Sequence, residues 1–479
     1  MATLTGLQQV RDLLAAQDPQ GALVPCELRD LVVGPSAMAF LPGLVGRLVD
    51  GTAVRPQIVL LVDETLILRE GADVKAQAEV LLSEVGRVRR AVLSDGHSEL
   101  HVTPEVVADG VAAVEGADVV VALGGGTISD IGKLVVAERP GLRLVSVMTA
   151  ASVDGYTDNV SVMLKDGVKR TVPSVWPDAV LADAETVAEA PGRMNRAGYG
   201  EMTSMYVAPA DWRLAALLGI DSSYHPGPIT LLGALADQLD ACATGVAEGE
   251  PAAVQELTWA LALRGIATGV AGTSACLSGV EHLVSHMLDL RAAELGLPTG
   301  LHGEQVGVGS VVAACAWEML HERLEAEPDR RVQSRMLDTD LAEQRVRDAF
   351  GALDTRGRIV PECWRDYGRK LGRAEAQRDV LDEVVARWSQ HAPELTARTR
   401  SSGVIVAGLR SAGAPVTTAD LGPDVSAEVG RWAVESCALM RDRFTVVDLL
   451  TLLGWWEHDD VDEVLARVEH AVSTPEMQP

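Results

Sequence analysis

The chain has 479 residues, of which 41 are Lys or Arg and 68 are Asp or Glu, giving a formal net charge of −27 with neutral histidines. Such an acidic balance argues against nucleic acid and against an anionic membrane surface as partners, because both require a positive protein surface. The length allows two or three domains, and we expect a small-molecule ligand or another protein chain as the partner.

The predicted compartment is the cytoplasm. The six cysteines are far apart and form no CxxC pair, which is typical of reduced, buried thiols. The opening residues carry neither the basic nor the apolar region of a secretory signal. No stretch reaches the roughly 18 uninterrupted apolar residues of a membrane span. We therefore expect a cytoplasmic enzyme.

The first part of the chain alternates between apolar strands and amphipathic helices. Strands are predicted at 30–34, 57–63, 90–94, 118–124, 142–148 and 179–183, with helices between them such as 74–85 and 103–114. Continuous apolar strands separated by helices indicate an α/β fold with a doubly wound, mostly parallel, Rossmann-like sheet. After about residue 190, long Ala- and Leu-rich helical patterns dominate. The prediction is a dinucleotide-binding α/β domain at 1–190 and an all-α metal- and substrate-binding domain at 191–479.

Three consecutive glycines end the fourth predicted strand in the segment DVVVALGGGTISDIGK. Helix N-termini bind anions, and glycine lets a phosphate approach the backbone, so Gly124, Gly125 and Gly126 favour phosphate binding over a simple tight turn. The segment is neither a GxGxxG fingerprint nor a Walker A loop.

Histidines concentrate in one stretch of the helical half. His282 and His286 lie four residues apart, on one face of a predicted helix, and His302 follows within the motif LHGE. Imidazoles on one helix face are suited to hold a divalent metal. Read from the residues alone, metal binding and a structural role for these histidines remain equally open.

Several motifs in order resemble the superfamily of glycerol dehydrogenase, iron-containing alcohol dehydrogenase and dehydroquinate synthase, and its sn-glycerol-1-phosphate dehydrogenase branch in particular. They include GGGTISDIGK (124–133), TAASVDGYT (149–157), AGYGE (197–201), SGVEHLVSHMLD (278–289), LHGEQVGVG (301–309) and RDRFTVVDLL (441–450). The resemblance extends over roughly residues 26 to 456. It implies a dehydroquinate synthase-like fold, nicotinamide and metal cofactors, a small polyol or sugar-like substrate and a homo-oligomer.

The resemblance also implies site residues. One carboxylate and two imidazoles would bind the metal, most plausibly zinc: Glu201, His282 and His302. Asp154 and His286 would hold the second substrate hydroxyl and relay the proton. The cofactor would contact Gly124, Gly125, Gly126, Thr127, Asp130, Lys133, Thr149, Ser152 and Asp158. Asp63, which ends the second strand, would accept the ribose hydroxyls and repel a 2′-phosphate, which favours NAD over NADP.

The chain departs from its nearest relatives at positions that would meet the substrate. Glu201 stands where that branch has aspartate, although dehydroquinate synthases have glutamate there. Met205 and Ala275 occupy positions where relatives carry a lysine and an arginine, and Asp158 replaces a small hydroxyl residue. With fewer cations, the site is expected to suit a phosphorylated substrate less well. Lys165, Lys169 and Arg170 are either anion contacts or a solvated basic turn.

Three functions are compatible with this pattern. The leading hypothesis is a metal-dependent, NAD(P)-linked dehydrogenase that interconverts a small, glycerol-1-phosphate-like polyol and its keto or aldehyde form. The alternative is a dehydroquinate synthase-like sugar-phosphate cyclase or lyase that uses NAD transiently, toward which Glu201 points. A third is an NAD-binding protein without chemistry, which the retention of all three metal-ligand types disfavours.

Overall fold

The structure, a computed structural model, describes residues 4, 6–49, 55–97, 99–165 and 168–474. Ten strands form three sheets: β1 (Asp30–Gly34), β2 (Gln57–Val62), β3 (Leu68–Arg69), β4 (Ala72–Asp73), β5 (Arg87–Val92), β6 (Val119–Gly124), β7 (Arg143–Met148), β8 (Val160–Lys165), β9 (Val168–Pro173) and β10 (Ala179–Asp183). The main sheet has six parallel strands in the order β1-β10-β7-β6-β2-β5, and two antiparallel hairpins, β3-β4 and β8-β9, accompany it.

Helices connect most strands of the main sheet and make up most of the described chain after β10. The first eleven are α1 (Leu7–Gln17), α2 (Leu41–Leu48), α3 (Val74–Ser83), α4 (Pro104–Ala113), α5 (Gly126–Ala137), α6 (Ala184–Ala188), α7 (Gly192–Met202), α8 (Ala208–Leu217), α9 (Pro226–Gly233), α10 (Ala236–Glu248) and α11 (Pro251–Ala271). They are followed by α12 (Val280–Leu295), α13 (His302–Ala326), α14 (Thr339–Phe350), α15 (Ile359–Ala376), α16 (Arg378–Ala386), α17 (Trp388–Thr396), α18 (Ser402–Ser411), α19 (Ala427–Ser436), α20 (Val446–Leu452) and α21 (His458–Ser473).

The main sheet is buried on both faces, as its apolar strands predict. Leu60 and Val62 of β2 pack with α2 and α3 in one apolar cluster, whereas Val59 and Leu61 pack with α4 and α5 in another. Successive side chains of a strand point to opposite faces, so an uninterrupted apolar run supplies both clusters at once. The predicted doubly wound α/β fold is confirmed.

The described chain forms two compact units. The first comprises residues 1–199 and 226–272, and the second comprises 200–225 and 273–479, each within the described ranges. This division differs from the boundary expected at residue 190, because α11 packs against β1 and α6, and α9 and α10 pack against α11. The functional assignment of the two predicted domains stays a prediction.

The order in which the chain adds strands to the sheet reverses between the neighbouring strands β2 and β6. From β2 the chain proceeds outward to β5, whereas from β6 it proceeds to β7 on the other side. In open parallel sheets, ligands bind outside the carboxyl ends of the strands at such a switch point. Asp63 follows β2, and Gly124 ends β6, so both lie at this point.

Some element boundaries differ from the sequence expectation. The strand expected at 90–94 spans 87–92, and the helix after the glycines begins at the last of them, Gly126. Both hairpins were missed. The strands of β3-β4 have only two residues each and so carry little periodic signal, and β8-β9 covers the segment that was interpreted only as anion contacts or a basic turn. In the part of the chain that the structure describes, no helix combines the length and the apolar character needed to cross a membrane.

Candidate functional site

The glycine turn leaves the start of α5 open. Gly125 is the residue before the helix, and a Cβ built there would meet no atom within 4 Å. Thr127 and the last two glycines are partly exposed, whereas a Cβ at Gly126 would come within 2.7 Å of the Val153 side chain. Free amide groups at a helix N-terminus, with no side chain over them, can receive a phosphate.

Lys133 is the centre of a buried charge cluster behind that turn. Its ammonium lies 2.6 Å from Asp158 Oδ1 and 3.1 Å from Asp130 Oδ1, and the side chain is fully buried. It also donates hydrogen bonds to the carbonyl oxygens of Gly155 and Val160. Lys133 therefore ties the helix after the glycines to the loop that follows β7, as expected of a residue that orders the turn.

The loop after β7 carries three further predicted residues. Thr149 and Ser152 are buried, and the Thr149 amide donates to the Gly124 carbonyl oxygen at 3.3 Å. Asp154 forms an ion pair with Arg264 of α11, whose side chain is 3% exposed against 17% for the aspartate. Arg264 was missed from the sequence. Its signal was its isolation, as the only charged residue between Leu257 and Ala271.

Asp63 has a partner that sequence reasoning also missed. Lys75, at the start of α3, places its ammonium 2.7 Å from Asp63 Oδ1 and 2.7 Å from the Asp63 carbonyl oxygen. Thr65 Oγ1 donates to the other carboxylate oxygen at 2.9 Å. No motif marks Lys75, so the structure adds a cation to a position interpreted from sequence as a lone carboxylate.

The three predicted metal ligands lie together in the second unit. Among the described residues, Glu201, His282 and His302 each offer a ligand atom, and these atoms lie within 4.8 Å of one another. Glu201 Oε1 is 3.3 Å from His282 Nε2, and Glu201 Oε2 is 3.7 Å from His302 Nε2. The fourth expected residue, His286, stacks beside His302 with ring centroids 5.9 Å apart.

Hydrogen bonds from the far side of each ring fix both imidazoles. His282 Nδ1 lies 2.8 Å from Glu281 Oε1, and His302 Nδ1 lies 3.0 Å from Ser285 Oγ. Because Ser285 donates to Gln305 Oε1 at 2.7 Å, its oxygen accepts from the His302 N–H. Each Nε2 therefore presents its lone pair toward Glu201. Metal-bound histidines are held in this way, and one carboxylate with two imidazoles fits a divalent metal with an open position.

Close backbone packing sets the spacing of this cluster. A Cβ on Gly200 would lie 2.2 Å from the Gly303 carbonyl oxygen, and one on Gly309 would lie 2.6 Å from the Glu281 carbonyl oxygen. The end of α7 and the starts of α12 and α13 can approach so closely only because glycines occupy these positions. Glu201, His282 and His302 are carried by these three helices.

Two of the three ligands are shielded from water, whereas the side chain of His302 is 27% exposed. Glu201 is 2% exposed and His282 7% exposed. Burial opposes a charge on His282, but the carboxylates of Glu201 and Glu281 outweigh burial and raise the pKa of its imidazole. Met205 and Ala275, the positions at which the resemblance implies cations in relatives, are buried in the same unit and offer no side-chain donor. The side chains of Lys165 and Lys169 lie outside the described residues.

A sheet with open glycines at its switch point and a separate cluster of one carboxylate and two imidazoles are the two parts that a nucleotide-linked, metal-dependent dehydrogenase requires. Residues 32–191 match the family model described as iron-containing alcohol dehydrogenase. Over 292 residues the chain is 31% identical to an NAD(P)+ glycerol-1-phosphate dehydrogenase of Bacillus licheniformis, covering 60% of this chain and 67% of that protein. The chain belongs to the iron-containing alcohol dehydrogenase family.

Other relatives agree. A protein of the same name from Natronomonas pharaonis is 35% identical over 266 residues, which cover 53% of this chain and 72% of its own. With other relatives of that name the match spans as little as 54% of their length. Among solved structures, a probable glycerol dehydrogenase from Sinorhizobium meliloti superimposes with a TM-score of 0.57 at 18% identity, covering 93% of this chain and 98% of that one. At this identity the superposition supports the fold alone.

Proposed function

We propose that the protein is a metal-dependent, NAD(P)-linked dehydrogenase that interconverts a small, glycerol-1-phosphate-like polyol and its keto or aldehyde form. The observation that carries the proposal is the cluster of Glu201, His282 and His302, in which each imidazole has its Nδ1 atom engaged and its Nε2 atom turned toward the carboxylate. The family, together with relatives named NAD(P)+ glycerol-1-phosphate dehydrogenase, supports the same reaction.

Each part of the chain has a task in this proposal. A bound divalent metal, for which we propose zinc, supplies Lewis acidity that lowers the pKa of a substrate hydroxyl. The open N-terminus of α5 receives the pyrophosphate of the dinucleotide, and Thr127, Thr149 and Ser152 line its approach. On charge alone, Asp63 favours NAD+ over NADP+.

Two further residues are proposed to act on the substrate. Asp154, held in place by its ion pair with Arg264, accepts a hydrogen bond from the second hydroxyl of the polyol. His286 lies beside His302, and its imidazole can exchange the substrate proton with water. The cytoplasmic location and the homo-oligomer, which rest on the cysteine pattern and on the family resemblance, remain proposals too.

The test is incubation of the purified protein with NAD+ or NADP+ and a panel of polyols, and in reverse with their keto forms. Net reduction of the dinucleotide supports a dehydrogenase. Product without net reduced dinucleotide indicates a cyclase, and neither outcome indicates a binding protein without chemistry. The control is His302→Ala, and chelation followed by Zn²⁺, Fe²⁺ or Ni²⁺ identifies the metal that restores turnover.

A further inference from the structure

The pair formed by Asp63 and Lys75 combines opposite charges at the edge of the sheet where the dinucleotide is proposed to bind. The Lys75 side chain is 6% exposed and that of Asp63 is 19% exposed. The ammonium has three acceptors: Asp63 Oδ1, the Asp63 carbonyl oxygen and the Thr65 carbonyl oxygen. Lys75 is therefore held at the carboxyl end of β2 by three hydrogen bonds.

This end of β2 adjoins the glycine turn. Strands β2 and β6 are neighbours, with Leu61 paired to Ala122, and Asp63 and Gly124 each lie two residues beyond these partners. A carboxylate beside a dinucleotide's phosphate turn selects against the 2′-phosphate of NADP, because two anions repel and because the carboxylate binds the ribose hydroxyls instead. That selection depends on the charge that the carboxylate presents.

Lys75 changes that charge. With the ammonium 2.7 Å from the carboxylate, the pair is neutral overall, and a 2′-phosphate meets a cation as well as an anion. We propose that Lys75 is a specificity-determining residue that allows the protein to use both NAD+ and NADP+. This inference rests on the proposed function and deepens it. Asp63 alone selects NAD+, Lys75 alone selects NADP+, and the pair tolerates both.

The experiment is titration calorimetry of NAD+ and NADP+ on the full-length, metal-loaded protein, with Lys75→Met and Asp63→Asn as variants. The wild type is expected to bind the two dinucleotides with Kd values within about tenfold of each other. Lys75→Met should weaken NADP+ binding by roughly tenfold or more while NAD+ binding changes little, since the Asp63 carboxylate then repels the 2′-phosphate without an offsetting cation. Asp63→Asn should shift the ratio toward NADP+ by a similar factor.

The matched control is Arg90→Met. Arg90 pairs with Glu79 of the same helix α3 at 2.7 Å, but it belongs to the middle of β5 rather than to a strand end. Arg90→Met should leave the ratio of the NAD+ and NADP+ Kd values unchanged. Lys75→Arg keeps a cation and should retain NADP+ binding, which separates the charge from the structural role of the side chain.

An unchanged ratio of the NAD+ and NADP+ Kd values in Lys75→Met, whether both affinities stay the same or fall equally, would overturn the inference while leaving the proposed function intact. If Lys75→Met does not fold, Lys75→Gln, which also removes the charge, takes its place, and the same selective loss of NADP+ affinity is expected of it. A wild-type protein that binds neither dinucleotide overturns the proposed function as well.

Discussion

Asp158 shares a single buried cation with a second aspartate, and this predicts a specific pH dependence of stability. The carboxylates of Asp158 and Asp130 both contact the ammonium of Lys133, and Asp154 lies near enough to repel Asp158. Burial is the largest influence, followed by attraction to Lys133 and repulsion from the other aspartates, and together they raise the pKa of Asp158 to about 7. One proton is therefore expected within this cluster near neutral pH.

The sign follows from linkage. The pKa of Asp158 in the folded chain lies above its value of 3.8 in the unfolded chain, so the folded state binds the proton more tightly. The resulting stabilisation is complete below about pH 4 and is lost as the pH rises through 7. Integrated from pH 5 to pH 8, this group alone lowers the free energy of unfolding by roughly 2 to 3 kcal/mol. Asp158→Asn removes the titrating group, so the variant should not show this decrease in the free energy of unfolding.

The assay is equilibrium unfolding in urea at pH 5 and pH 8, followed by tryptophan fluorescence and far-UV circular dichroism. The free energy of unfolding of the wild type, minus that of Asp158→Asn, is measured at each pH. This difference should be larger at pH 5 than at pH 8 by roughly 2 to 3 kcal/mol. Asp354→Asn is the control: Asp354 is slightly buried, but backbone N–H groups of residues 358–360 lower its pKa, so its contribution changes only below this window. Equal pH dependence of wild type and Asp158→Asn would refute the reasoning.

Three further predictions concern the site. His302→Ala should lose the metal and the activity while keeping the fold, as measured by elemental analysis and circular dichroism; stoichiometric metal in the folded variant contradicts the ligand assignment. Arg264→Gln should lower kcat/KM at least about tenfold, because the ion pair with Asp154 is lost, and Arg264→Lys should restore part of it; an unaltered KM and pH profile in both speaks against a role on substrate. Since Met205 and Ala275 offer no cation, dihydroxyacetone phosphate should be reduced less efficiently than unphosphorylated ketoses; a preference of a hundredfold or more for the phosphate ester, roughly 2.7 kcal/mol, would reverse that conclusion.

Local sequence signals predicted most of the fold around the site. The apolar runs of β2, β6, β7 and β10 indicate a parallel sheet because each side chain faces one of two cores, and a triple glycine after such a run marks a backbone that must stay accessible. The helix spacing of His282 and His286 is likewise local. These features need only a few neighbouring residues to be recognised.

What could not be predicted depends on packing between distant segments. Lys75 and Arg264 look like ordinary charged residues until α3 and α11 bring them against Asp63 and Asp154. The return of residues 226–272 to the α/β unit has the same origin, because a helical pattern does not record which surface buries it. Ser285 and Gln305 orient His302 only through the packing of α12 on α13.

The backbone contact between Gly200 and Gly303 fixes the distance between the two helix ends that carry Glu201 and His302. With 2.2 Å between a built Cβ and the Gly303 carbonyl oxygen, the two helix ends already touch through their backbones and cannot move closer. A shorter carboxylate at position 201 could therefore not be accommodated by a shift of the helix, and the missing methylene would remain as distance to the ion. Because the backbones cannot move closer, the length of the side chain at position 201 decides where a metal can lie in this protein and how large it can be.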